Sequence, residues 1–277
     1  MIFVIGARGM LGHDVVQHLK NSNIPYMTAD RDELDITRKE EVMTFLKKHK
    51  PTAVINCAAY TAVDKAEDEP EVCVKINARG SENLAIACKE IGAKLMYIST
   101  DYVFEGIGDT PYEIDDKTNP MSVYGKSKLL GEQLVKEYID DYFIVRVSWL
   151  FGTNGNNFVK TMQKLGAERE KISVVNDQIG SPTYTKDLAA LLCDMIQTEK
   201  YGTYHATNEG YCSWADFAKE IMNLSKLHCV VEKISSDEYK TKAQRPQNSR
   251  LSKVSLVING FDALPRWEEG LIKYMKG

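Results

Sequence analysis

Tyr124 and Lys128 stand four residues apart in the run Tyr124-Gly125-Lys126-Ser127-Lys128. Leu129, Leu130, Leu134 and Val135 continue it with helical spacing, so the phenol and the ammonium share a helix face and can reach one ligand. An isolated phenol loses its proton near pH ~10, and a neighbouring ammonium is expected to lower that value by stabilising the tyrosinate, which would make Tyr124 a usable general acid. Taken alone, the pattern is also that of an ordinary helix face. A second element narrows it. Ser99-Thr100-Asp101 ends a β-branched apolar run, at the strand end where open α/β sheets bind ligands, and offers hydroxyls able to hold a carbonyl oxygen beside Tyr124. The chemistry these residues could do together is reduction of a carbonyl, with Tyr124 donating the proton and Thr100 bonding the oxygen as charge develops.

A reduction needs a hydride, and the other end of the chain supplies a place for its donor. Gly6-Ala7-Arg8-Gly9-Met10-Leu11-Gly12 follows the first apolar run and opens the first helical segment, the setting in which a glycine motif means dinucleotide binding. Gly6 would permit the tight turn, Gly9 the approach of the pyrophosphate and Gly12 close helix–strand packing, while the amides of Met10 and Leu11 would receive the phosphates. Asp30, at the end of the second strand, is placed to bond the adenosine ribose and favours NADH; Arg31 beside it, with Arg8, could pair with a 2′-phosphate. NADPH or NADH is the expected cofactor, with NADPH favoured. Lys128 would grip the nicotinamide ribose.

These groups must be positioned by alternating elements. Ile2–Ile5, Ile24–Ala29, Ala53–Cys57, Leu95–Ser99 and Ile144–Ser148 read as strands, and amphipathic helices lie between them. Leu11, Val15, Val16 and Leu19 share one helical face, Val42, Phe45 and Leu46 another, and Pro51 ends that second helix. Repeated strand–helix–strand units predict a parallel sheet covered on both faces. After Phe151 the rhythm loosens into Gly152-Thr153-Asn154-Gly155-Asn156-Asn157, a short strand near Ile172–Val175, a helix carrying Leu188, Leu191, Leu192 and Met195, and another opening at Ser213. The expected fold is α/β, a doubly wound parallel sheet of Rossmann type with a smaller C-terminal substrate-binding lobe. Residues 1–150 are expected to form the dinucleotide-binding domain and 151–277 mainly the lobe, with some elements returning to the first domain.

Composition removes other classes. The 277 residues carry 35 Lys and Arg against 39 Asp and Glu, a net charge of −4 with both signs scattered, so no nucleic-acid partner is expected. No apolar stretch approaches the ~18 residues a membrane span needs, and no secretion signal precedes the first strand, so a soluble, cytoplasmic protein is expected. Six cysteines without a C-x-x-C pair and five histidines without H-E-x-x-H lack zinc spacing, and no metal site is expected. Asp64, Glu67 and Asp68 read as solvated charges at a helix start.

The glycine loop, Asn56-Cys57-Ala58-Ala59-Tyr60-Thr61-Ala62-Val63-Asp64, Ser99-Thr100-Asp101-Tyr102-Val103-Phe104, the Tyr124–Lys128 run, Gly155-Asn156-Asn157-Phe158, Val175-Asn176-Asp177-Gln178-Ile179-Gly180-Ser181-Pro182-Thr183 and Arg245-Pro246-Gln247-Asn248-Ser249-Arg250-Leu251 together resemble the dTDP-4-dehydrorhamnose reductases of the extended short-chain dehydrogenase/reductase superfamily. The resemblance runs nearly end to end. It implies reduction of the 4-keto group of dTDP-4-dehydro-L-rhamnose to dTDP-L-rhamnose, a nucleotide-sugar substrate, and a catalytic set of Thr100, Tyr124 and Lys128. It also implies cofactor contacts at Gly9, Met10, Leu11, Asp30, Asp35, Ile36, Ala59, Tyr60 and Thr61, and substrate contacts at Thr100, Asp101 and Trp149. Arg245 is a candidate for the substrate pyrophosphate, and Asn248 a weaker one. Trp149 reads equally as a core tryptophan. Some members are dimers with an interface metal, which leaves a homodimer open; Asp14, flanked by His13, falls near such a position without a set of partners.

Two rivals share the motifs. A nucleotide-sugar epimerase or dehydratase has the same loop and Y-x-x-x-K pair, but a dehydratase needs an acidic pair after the fourth strand, where only Asp101 follows Thr100. A non-catalytic, dinucleotide-binding regulatory subunit would not require Thr100, Tyr124 and Lys128 to be intact.

Overall fold

Strands buried along their whole length can be covered only by helices on both sides, and Ile2–Ile5 and Ala53–Asn56 are buried at every position. A computed structural model describing residues 1–277 shows how the chain does this. Its first half runs β1 (Ile2–Ile5), α1 (Met10–Asn21), β2 (Tyr26–Ala29), α2 (Lys39–His49), β3 (Ala53–Asn56), the short helices α3 (Val63–Ala66) and α4 (Pro70–Val74), α5 (Gly80–Ile91), β4 (Lys94–Thr100), α6 (Val123–Tyr138) and β5 (Tyr142–Val147). The second half comprises β6 (Leu150–Phe151), α7 (Phe158–Glu168), β7 (Lys171–Val175), β8 (Ile179–Gly180), β9 (Thr183–Tyr184), α8 (Thr185–Ile196), β10 (Gly202–His205), β11 (Cys212–Ser213), α9 (Trp214–Leu224), β12 (Val230–Ile234), β13 (Asn248–Ser249), α10 (Val254–Ile258) and α11 (Trp267–Lys276).

The central sheet has six parallel strands in the order β10-β5-β4-β3-β1-β2. The order reverses between β1 and β3, which opens a crevice beyond the strand ends where such sheets bind ligands. One apolar face packs α1 and α8 around Val15, Leu19, Leu188 and Leu192. The other packs α2, α5 and α6 around Val42, Leu46, Leu84 and Val135. A third cluster, centred on Phe151, Phe217 and Trp267, belongs to the second half and holds α7, α9 and α11 together with the β7–β12 pair. Two elements of the second half join the central sheet layers: β10 pairs with β5 at the edge, and α8 lies against α1. The strand expected from Ile24 begins at Tyr26, because Ile24 and Pro25 close the turn from α1, where the Ile24 amide bonds Leu19 O. No helix is long and apolar enough to cross a membrane.

Between α4 and α5 the helix continues through one π-helical turn, Lys75–Arg79. Such turns cannot satisfy every backbone group within the helix and often mark functional sites. Here the Asn77 carbonyl accepts from Ser81 Oγ (2.9 Å) and Tyr97 Oη (3.1 Å), and the buried Asn77 side chain bonds the Tyr60 backbone and Ser127.

Candidate active site

The glycine loop is shaped by contacts that exclude side chains. Gly6 has φ +75°, the left-handed region, and a Cβ there would stand 2.8 Å from the Ala58 amide nitrogen. A Cβ on Gly12 would stand 2.1 Å from Gly6 O, so α1 rests directly on the turn. Gly9 precedes α1 with no side-chain cap, and the first turn carries no acidic residue. Unpaired amides and the helix dipole therefore face outward together, an arrangement suited to a phosphate. The Asn154 amide donates to Arg8 O (2.7 Å) and Gly9 O (3.3 Å), tying the Gly152–Asn157 loop onto this cradle.

At the far side of the cradle the Arg8 amide donates to Asp30 Oδ1 (3.2 Å). The Arg8 guanidinium is ion-paired with Asp30 (3.3 Å) and Asp32 (3.1 Å), with Glu33 at 3.9 Å. Its charge is thus matched within the protein, whereas Arg31 is exposed. Asp35 accepts from the Thr37 hydroxyl (2.7 Å), and Ile36 is buried with its carbonyl held by Asn83 (2.9 Å). The segment Ala59–Thr61 is pinned by Asn77, whose Oδ1 accepts from the Tyr60 amide (2.8 Å) and whose Nδ2 donates to Tyr60 O (3.1 Å) and Ser127 Oγ (2.9 Å).

Thr100 and Tyr124 meet because two turns interlock. Thr100 ends β4, and its Oγ1 accepts from the Tyr102 amide (3.3 Å) and donates to Asp101 Oδ1 (2.9 Å). Ser122 caps α6 by accepting from the Gly125 amide (3.1 Å), and a Cβ on Gly125 would lie 2.3 Å from Tyr102 O, so only glycine lets α6 start this close to the Tyr102 turn. The Tyr102 and Tyr124 rings then pack edge to face at 5.5 Å. Burial pushes the Tyr124 phenol well above its ordinary range, with the Thr100 hydroxyl partly offsetting the shift. Asp101 is buried too, its carboxyl pushed up to about 6 by desolvation, and its Oδ2 has no hydrogen-bond partner in the protein.

Lys128 departs from the expectation that its ammonium stabilises the tyrosinate. Its Nζ donates to Ile98 O (2.6 Å) and lies 4.0 Å from the centre of the Tyr97 ring. Burial lowers the Lys128 ammonium to about 7. The pair does share a helix face, but desolvation dominates both groups, raising the phenol and lowering the amine. Tyr124 is consequently held in its protonated form at neutral pH, ready to donate.

A cavity of about 520 Å³ lies between the first half's Asp64 and Tyr102 and the second half's Phe158, Arg169, Trp214 and Arg245; Thr100, Tyr124 and Lys128 do not line it, and Tyr102, which packs on Tyr124, connects them to it. Arg245 spans the two halves, its guanidinium bonding Asp64 Oδ2 (2.5 Å) and Tyr102 Oη (3.1 Å). The carboxylates read as solvated helix-start charges are therefore engaged: Asp64 also accepts from the Ala243 amide (3.1 Å), Asp68 pairs with Lys242, and Glu67 accepts from the Val123 amide (2.8 Å). Asp64 and Asp68 remain 46% and 57% exposed, so they are solvated as well as paired, and their partners come from distant parts of the chain.

A family model described as the RmlD substrate binding domain matches residues 1–277. The chain is 39% identical over 276 residues to the spore coat polysaccharide biosynthesis protein SpsK of Bacillus subtilis, covering 99% of this chain and 96% of that one. Two solved structures match with a TM-score of 0.97 over 99% of this chain and 98% of theirs: a dTDP-4-dehydrorhamnose reductase from Clostridium acetobutylicum, 44% identical, and one from Bacillus anthracis in complex with NADP, 45% identical. The chain belongs to the dTDP-4-dehydrorhamnose reductase family.

Packing decides what several candidate residues around this reductase-family site can reach. Trp149 adopts φ +50° and stacks on Trp214, with ring centres 3.7 Å apart and planes within 12°. It is Trp214 that lines the cavity, with Trp149 half-buried against it and Gly180. Asn248 is spent on its own loops, donating to Ile107 O (3.2 Å) and Thr110 O (2.8 Å). Asp14 is buried between α1 and α8, where it accepts from the Thr185 hydroxyl (2.5 Å), so it presents no carboxylate to a neighbouring subunit. Asn77 and Asn154, which hold the two ligand-facing loops, carry no signature beyond being polar residues in helical or glycine-rich stretches.

Proposed function

We propose that this protein reduces the 4-keto group of dTDP-4-dehydro-L-rhamnose to give dTDP-L-rhamnose, with NADPH or NADH as reductant. The observation that carries this reading is the protonated, buried Tyr124 beside Thr100, packed against the Tyr102 ring that, with Arg245, lines the neighbouring cavity.

Residues 1–150 would serve mainly as the dinucleotide domain and 151–277 mainly as the substrate lobe. The cradle fits a dinucleotide, since side chains at Gly6 and Gly12 would fill the space that the turn and α1 need, and the amides of Met10 and Leu11 are free to meet a pyrophosphate. Asp30 would bond the adenosine ribose, and the segments around Asp35–Ile36 and Ala59–Thr61 would flank the nucleotide, with Arg31 near a 2′-phosphate. When bound, the reduced nicotinamide supplies the hydride.

Tyr124 would then deliver its proton to the carbonyl oxygen as that oxygen gains charge, and Thr100 would donate a hydrogen bond to the same atom. Thr100 must turn its hydroxyl from Asp101 to do so, which is favoured when Asp101 takes a sugar hydroxyl on its unpartnered Oδ2. Lys128 would bond the nicotinamide ribose from the floor of the crevice. Arg245 would exchange Asp64 for the substrate pyrophosphate, gaining a bidentate partner of higher charge. The paired indoles of Trp149 and Trp214 would offer an aromatic wall to the sugar or base.

The test is loss of reduced-nicotinamide absorbance on mixing the purified protein with enzymatically generated dTDP-4-dehydro-L-rhamnose, with NADH and NADPH in parallel. Rapid oxidation supports the reading and ranks the cofactors. Cofactor binding without oxidation would count against it, and tightly bound NAD copurifying with the protein would point instead to an epimerase.

A further inference from the structure

Below Lys128 lies a buried charge pair that the reaction as described does not use. Glu132, one helical turn further along α6, and Arg146 on β5 have side chains only 2% and 3% exposed. The contact is bidentate: Arg146 Nε donates to Glu132 Oε1 (2.9 Å) and Nη2 to Oε2 (2.8 Å). Ser99 Oγ adds a short bond to Glu132 Oε1 (2.5 Å). The remaining guanidinium nitrogen, Nη1, donates to Ile114 O (3.0 Å) and to His205 Nε2 (3.4 Å), while His205 Nδ1 donates to Ser252 O (3.1 Å). Four of the five guanidinium N–H groups are therefore matched, which helps a buried ion pair to persist.

Buried ion pairs are often no more stabilising than apolar residues of the same volume, so stability alone is a poor reason for one here. Its location suggests another. Ser99 immediately precedes Thr100 and is in register with Arg146 across the β4–β5 ladder. Glu132 thus ties the helix carrying Tyr124 and Lys128 to the strand end carrying Thr100. It also stands four residues from Lys128 on the same helix, the spacing at which side chains share a face. The other titratable groups around Lys128 are Cys57 beyond β3, Cys73 on α4, Tyr97 on β4 and Tyr124 on its own helix, and burial pushes all four upward, so they are neutral. Glu132 is the one of these neighbours that bears a negative charge, and it opposes the desolvation that draws the Lys128 proton away.

We propose that Glu132 is a positioning residue for the reduction: it locks α6, which carries Tyr124 and Lys128, to the ends of β4 and β5, and it sets a carboxylate one helical turn from the Lys128 ammonium. On the reading of Lys128 given above, that ammonium is the form that grips the nicotinamide ribose. Arg146 neutralises the pair as a whole and holds the carboxylate in place, and His205 and Ile114 hold Arg146.

The experiment is a pH titration of Lys128 by NMR in protein labelled with [ε-13C]lysine, with Lys128→Arg identifying the resonance and pH profiles of turnover measured alongside. Glu132→Gln would leave Arg146 unpaired in the core and endanger folding, so the informative variant is Glu132→Met with Arg146→Met, which removes both charges and keeps the volume. The expected result is a Lys128 midpoint about one unit or more below that of the unmodified protein, which leaves roughly tenfold less ammonium at any pH above both midpoints, and an alkaline limb of turnover displaced equally. Glu132→Asp, which keeps the charge and shortens the reach, should retain a midpoint near the original while turnover falls. An unmoved midpoint in the double variant, with only the melting temperature lowered, would overturn the proposal and leave a structural pair. So would an aspartate variant whose midpoint falls as far as the double variant's. The midpoint is read without substrate, so an unmodified protein that fails to reduce the keto-sugar would refute the functional reading while leaving this comparison decisive.

Discussion

Adding one methyl group at Gly12 tests how the phosphate cradle is built. A Cβ there would stand 2.1 Å from Gly6 O, 2.8 Å from Gly6 C and 3.0 Å from Ala7 Cα, all backbone atoms that cannot swing aside. Ordinary contact begins near 3.4 Å, so α1 must retreat by about 1 Å, because the Gly6 turn is itself wedged against Ala58. That retreat works against the buried Asp14–Thr185 bond and the packing of Val15 and Leu19. Overpacking of this kind costs about 1–3 kcal/mol, which in a chain of this size lowers the melting temperature by roughly 2–5 °C. The moved amides should also weaken NADPH binding by about tenfold or more. Gly9 provides the contrast. Its φ is −71°, and its Cβ would lie 3.2 Å from Gly6 O, a strain relieved by a few tenths of an ångström. Gly9→Ala should therefore melt near the parent temperature and lose cofactor affinity alone, because its methyl would stand at the proposed pyrophosphate site. Thermal unfolding by circular dichroism and NADPH titration by fluorescence separate the two. A Gly12→Ala protein with unchanged melting temperature and affinity would refute the account of α1 resting on the turn.

Tyr124→Phe should cut turnover roughly 100-fold or more while leaving cofactor affinity nearly unchanged, since it removes the proton donor and little else; steady-state kinetics with near-normal turnover would sink the assignment. Arg245→Gln should raise KM for the nucleotide sugar by about tenfold, the worth of a charge-assisted hydrogen bond, without raising KM for NADPH; an equal rise in both would place Arg245 elsewhere. His205 is held neutral, with burial and the adjacent Arg146 drawing its imidazolium down to about 3. Its folded value lies below the unfolded one, so the unfolded chain takes up the proton first as pH falls. The resulting stability is present above pH ~6.5 and is lost on acidification, amounting to about 2 kcal/mol by pH 5. His205→Asn should show a shallower loss between pH 7 and 5 in urea unfolding. Asp101, raised to about 6, gains stability as pH falls below that value, and it does so in both proteins and cancels in the comparison. Parallel pH dependences would show that His205 does not titrate as stated.

Much of this site could be read from the chain because its signals are local. The glycine loop, the strand that precedes it and the helix that follows lie within the first 21 residues, and one turn of helix is enough to put Tyr124 and Lys128 on a common face. Apolar periodicity likewise marked the parallel strands and the face each helix buries. Tertiary structure decided what those residues experience. Arg245 and Asp64 are separated by 181 residues, and no spacing rule connects them. The stacking of Trp149 on Trp214 depends on β6, β8 and α9 converging in the smaller lobe, and the edge strand β10 has too little alternation to announce that it returns to the central sheet. The charge states follow the same division. Helical spacing put an amine near a phenol, but burial set the direction of both shifts, because the cost of desolvating a charge depends on every atom packed around it and not on sequence neighbours alone. The sequence by itself determined which groups could do chemistry and on which local element each sits; the packing of distant segments determined which protons they hold and which partners they face.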